Sequence, residues 1–163
     1  MVNRLHIYRR AQLVLPTAIE TSGLVDFGMW PGQLECNLMA ILLRCESHGA
    51  VILRLSRDTA EDMRERGLEF FAGAERARGV LNNQRRGPAV YEPWRPTPLP
   101  WEWQDEALGE LWGSLYTLKM DRTLYAEVVS AREAGSFYTK KVNSGANLVV
   151  IPEKRLVIYT WWD

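Results

Sequence analysis

Histidine and cysteine are scarce in this chain, two of each, which removes most nucleophilic and metal chemistry from consideration. Cys36, Cys45, His6 and His48 could complete a zinc set only by coincidence of folding, because no CxxC or HxxxH spacing links them. The two cysteines sit in an apolar run and read as buried free thiols of a cytosolic protein rather than as a disulfide. An excess of one charge is also missing. Twenty basic residues face twenty acidic ones, which argues against a dedicated nucleic-acid binder or a polybasic membrane anchor. No apolar run approaches the length of a transmembrane helix. The first ten residues, Met1 to Arg10, lack the apolar region and cleavage site of a signal peptide, so a cytoplasmic location is expected. P-loop, Rossmann and G-x-S-x-G signatures are absent, and so is any internal repeat. Neither a cofactor nor a metal is expected, and enzymatic activity has no sequence signal behind it.

What the chain does have is tryptophan, seven copies in 163 residues. Trp is a preferred interface anchor as well as core filler, so the excess favours a binding role. The length suits a single domain over residues 1–163. Leu5–Tyr8 and Gln12–Leu15 read as short strands ending at Pro16, and Thr21-Ser-Gly23 and Met29-Trp-Pro-Gly32 as turns. Leu34–Arg44 is nearly all apolar and stays open between strand and helix, with strand slightly favoured. Ala50–Ser56 alternates as a strand. Asp58, three residues before Glu61, predicts a helix start, with Gly67 as its break. A second helix is predicted from Leu68 to about Leu81, with Arg76, Arg78, Arg85 and Arg86 giving its end a basic character.

Residues 87–101 hold five of the eight prolines and read as an extended, stiff loop. It divides an α/β N-terminal part from a β-rich C-terminal part. Trp101-Glu-Trp103 then leads into a short acidic helix ending at Trp112. Beyond Gly113, strands are predicted at Leu115–Met120, Leu124–Ser130 and Phe137–Val142, followed by a terminal hairpin of Leu148–Ile151 and Leu156–Trp162. The expected fold is α+β: a C-terminal antiparallel meander, helices packed on one face, and short N-terminal strands either joining that sheet or forming their own.

Two chemical motifs fail their context tests. Gln84-Arg-Arg-Gly87-Pro-Ala89 matches the pyrophosphate-binding pattern of acetyl-CoA-dependent acetyltransferases, but Pro88 removes an amide and no helix follows. Asp121 and Glu127 are placed by the strand reading on a hairpin, as a metal-dependent nuclease would require, yet no lysine stands two positions after Glu127.

A single-signed patch remains in this neutral chain. Glu102, Asp105, Glu106 and Glu110 meet no basic residue between positions 101 and 112. Acid beside Trp suits a clamp on a basic partner, since charge steers the encounter and rings supply anchor area. It equally suits a helix whose Trp101, Trp103 and Trp112 pack onto the sheet while the acids face water. The residues singled out for partner binding are therefore Trp101, Glu102, Trp103, Asp105, Glu106 and Glu110, with Trp94, Trp161 and Trp162. The closing segment Val150-Ile-Pro-Glu-Lys-Arg-Leu-Val-Ile-Tyr-Thr-Trp-Trp-Asp163 resembles the last hairpin of bacterial immunity proteins from polymorphic and contact-dependent toxin systems. That resemblance implies a non-enzymatic cytosolic inhibitor that binds one cognate toxin domain, which commonly carries a basic surface. The inhibitor would be a monomer or homodimer, with no nucleic-acid or membrane partner. Two alternatives stay open: an enzyme with an unrecognised nuclease-like or transferase-like site, and a phage or accessory protein that assembles through its terminal strands.

Overall fold

A computed structural model describes residues 4–30, 48–80, 87–104, 115 and 117–162. Among them, four helices and a six-stranded antiparallel sheet form an α+β fold. In chain order the elements are α1 (Arg4–Leu13), β1 (Thr21–Trp30), β2 (His48–Leu55), α2 (Arg57–Arg66), β3 (Arg95–Pro96), α3 (Trp101–Gln104), α4 (Arg122–Ser130), β4 (Phe137–Lys140), β5 (Asn147–Ile151) and β6 (Leu156–Trp162). The sheet order is β1-β2-β6-β5-β4-β3, so the N-terminal strands join the C-terminal ones. Leu34–Arg44 lies outside the described residues.

The apolar runs of β2, β5 and β6 follow from burial on both faces. Along a strand successive side chains point to opposite sides. Val51, Leu53, Leu148, Val150, Val157 and Tyr159 face one core, with Ala11 of α1, Ala60 and Met63 of α2, and Phe71. Ile52, Val149, Ile151, Leu156 and Ile158 face a second core, closed by Leu99, Trp103, Leu115 and Val128 of α4. Helices therefore flank both faces of the sheet, not one.

Several predicted elements are replaced. Residues 4–13 form a helix where two strands were expected: Ile7, Tyr8 and Ala11 share one helical face against the first core. Thr21–Trp30 is one continuous strand, running through Gly23 and Met29, both expected at turn positions. A register shift falls between Thr21 and Gly23. Gly28 leaves room for close approach, since a Cβ there would collide with the Thr117 carbonyl. α2 starts two residues earlier than expected, with Ser56 in place of Asp58 as its cap (Thr59 N–H to Ser56 Oγ, 3.2 Å), and ends at Gly67 with φ 57°. The second predicted helix is only a 3₁₀ turn, Gly67–Phe71. Residues beyond it run extended, bridging Arg76 to Val90 and Ala77 to Pro16.

On the C-terminal side, the predicted strands at 115–120 and 124–130 are absent: residues 117–120 turn, and 122–130 form α4. The strand predicted at Phe137–Val142 shortens to Phe137–Lys140 and the terminal hairpin stands, so the run of five strands shrinks to three. The last of them, β6, is bonded to β2 on one side and β5 on the other. Neither edge of β6 is left unpaired.

A candidate partner-binding surface

Residues 87–104 wrap the β4 edge of the sheet from one face to the other. Tyr91 and Trp94 belong to the first core, Leu99 and Trp103 to the second. Between them β3 pairs with β4, Arg95 opposite Tyr138 and Pro96 opposite Phe137. Pro93, Pro96, Pro98 and Pro100 offer no backbone N–H, which suits an outermost strand that must not template further pairing.

The wrap is tied down along its length. Tyr91 donates its hydroxyl to the Val14 carbonyl at 2.6 Å and its amide to the Glu75 carbonyl at 2.7 Å. Burial, and secondarily the neighbouring Tyr159, pushes the Tyr91 phenol well above its ordinary pKa. The Trp94 indole donates to the Ala74 carbonyl at 2.8 Å and stacks on Phe71, with centroids 4.4 Å apart. Further on, the Thr97 amide reaches the Ser136 carbonyl at 3.0 Å and the Leu99 amide the Arg132 carbonyl at 2.8 Å.

This anchored loop delivers α3. Trp103 is 7% exposed and meets Tyr138 edge to face, centroids 5.1 Å apart at 69°. Two residues along a helix turn through roughly 200°, so seating Trp103 inward drives Trp101 outward. Trp101 is 71% exposed, the most exposed of the large apolar side chains among the described residues. Glu102, beside it, is exposed as well. The chain thus spends one tryptophan on packing and holds the next at the surface.

No family model, curated protein or solved structure matches the chain. The site must be read from its own geometry.

Of the nine residues singled out in the sequence, Trp101 and Glu102 stand together at the surface. Trp103 and Trp94 are core residues, 7% and 6% exposed, on opposite faces of the sheet. Trp161 is half-buried on β6, stacked on Tyr159 at 5.8 Å, with its ring over the cross-strand Gly49. Asp105, Glu106, Glu110 and the Trp162 side chain lie outside the described residues. The hairpin proposed for Asp121 and Glu127 does not exist. Asp121 caps α4, accepting the Leu124 N–H at 2.8 Å, and Glu127 on that helix faces Lys154 at 3.9 Å. Among the described residues no group of three or more His, Cys, Asp or Glu side chains is placed to hold a metal ion. Nor is any described helix long and apolar enough to cross a membrane.

Sequence reasoning missed one feature of the same corner. A cavity of about 180 Å³ opens beside α3, lined by Arg95, Tyr138 and Lys140 as well as Trp103. These residues come together only through the β3–β4 pairing, and a two-residue strand beginning Arg-Pro carries no periodic signal.

Proposed function

We propose that the protein is a non-enzymatic protein-binding inhibitor, a bacterial immunity protein that neutralises a cognate toxin in the cytoplasm, with Trp101 and Glu102 at the centre of its contact surface. The observation that carries this reading is the 71% exposure of Trp101 at the end of an otherwise anchored loop. Holding so large an apolar ring in water is unfavourable unless something covers it, and a rigid mount lets a partner bury it without ordering the loop first. The adjoining acids, Glu102 followed in sequence by Asp105, Glu106 and Glu110, suit a partner with a basic surface. The likeness of the terminal hairpin to immunity proteins supplies the class of partner.

The test is co-expression with the product of the neighbouring open reading frame. A stoichiometric complex is expected. Reversing Glu102, Asp105, Glu106 and Glu110 to lysine should break it, while the circular dichroism spectrum and Tm of the free protein stay unchanged. Recovery of the protein alone, or a complex indifferent to the reversal, would remove the reading.

A further inference from the structure

The corner cavity beside α3 has a chemistry different from that of the acidic tract. Trp103 and Tyr138 line it and are 7% and 9% exposed. Neither the Trp103 indole N–H nor the Tyr138 hydroxyl has a hydrogen-bond partner among the described residues. Neither belongs to the sealed, unsatisfied atoms, which are Ser136 Oγ and Asn147 Oδ1. Both polar groups therefore remain reachable while their rings are packed. Donors left open beside packed rings in a cavity lining suit an acceptor brought by a ligand.

Arg95 completes the set. It stands opposite Tyr138 in the β3–β4 register, so the two side chains share a face of the sheet. Its guanidinium has no side-chain partner among the described residues. Lys140 adds a second positive charge to the wall and Glu92 a single negative one. Pro100 and the two rings supply apolar walls. A cavity of roughly 150 Å³ is enough for a benzene-sized body, and this one is about 180 Å³.

We propose that this cavity is a binding site for an aromatic carboxylate: the ring lies against Trp103 and Pro100, and the carboxylate takes Arg95 with the indole N–H and the phenol O–H. An arginine fork matches a carboxylate in two parallel bonds, which a neutral amide cannot reproduce. The carboxylate can come from a free small acid or from the C-terminus of a chain ending in an aromatic residue. The site uses residues other than Trp101 and Glu102, so it stands or falls independently of the inhibitor reading.

The probe is benzoate, followed through the Trp103 indole ¹H–¹⁵N resonance. A saturable shift is expected, with binding of benzamide weaker by on the order of tenfold. Arg95→Gln, a change at an exposed position, should reduce benzoate to the benzamide level. Acetyl-Gly-Phe with a free C-terminus, against its amidated form, separates the two sources. Tighter binding of the peptide acid than of benzoate assigns the site to a chain terminus, and binding of benzoate alone assigns it to a free acid. No shift at Trp103 with either acid, equal response to benzamide, or indifference to Arg95→Gln would overturn the proposal.

Discussion

Tyr91 and Arg78 show how single side chains hold the surface in place. Arg78 sends its guanidinium to the carbonyls of Pro16 (3.0 Å) and Ile19 (2.6 Å), while its amide takes the Leu15 carbonyl at 2.9 Å. The basic end predicted for a second helix is, at Arg78, a clamp on the chain leaving α1. Tyr91 fixes the start of the wrapping loop from the same side, and its phenol is held neutral by burial. In the unfolded chain a phenol ionises near pH ~10. Above that pH the unfolded state binds fewer protons than the folded one, so stability is full below about pH 10 and falls as pH rises. Tyr91→Phe should lower stability by about 1 kcal/mol at neutral pH through the lost hydrogen bond. It should also flatten the alkaline decline, both readable from urea midpoints across pH 8–11. An unchanged alkaline slope would mean that other groups set it. Nothing in the sequence marks either role, because both side chains bond to carbonyls of residues far away in the chain.

At the scale of elements, the legible parts were those with strong local chemistry. The terminal hairpin, the strand at Ala50–Leu55 and the helix before Gly67 all stand within a residue or two of the reading. Failures cluster where tertiary packing overrides propensity. Residues 124–130, with Val128 and Val129, look like a strand but form α4, whose Val128 plugs the second core. The clue was Asp121, placed on a hairpin between two predicted strands and in fact the helix cap. Asp121→Ala should cost about 1 kcal/mol, and Asp121→Asn much less. Chemical denaturation of the two variants checks this; equal losses would show that the carboxylate, not the cap geometry, matters. The 3₁₀ turn after Gly67 failed for the opposite reason. Leu68 and Phe71 have helical spacing, but Gly67 at φ 57° and Gly73 at φ 78° break the chain on either side of it.

At the scale of the whole molecule, both edges of the sheet are managed. β1 is irregular at Thr21/Gly23 and Leu24/Asp26, and Arg4 covers the Leu24 and Val25 carbonyls at 3.2 Å. The β4 edge is sheathed by the proline-rich wrap, and strand addition is thereby discouraged at each side. The wrap ends in α3, which turns Trp103 into the second core and leaves Trp101 at the surface. Half of the proposed surface was legible: the sequence marked Trp101 and Glu102 by composition and charge. It could not separate Trp101 from Trp103 or Trp94, because inward and outward are decided by which residue Tyr138 and Phe71 receive. The most direct measurement is isothermal titration of the wild type and of Trp101→Ala against the co-expressed neighbouring gene product. If Trp101 is the anchor, Kd should rise by roughly thirtyfold or more, about 2 kcal/mol, with an unchanged Tm. Equal affinity for the two proteins would contradict it.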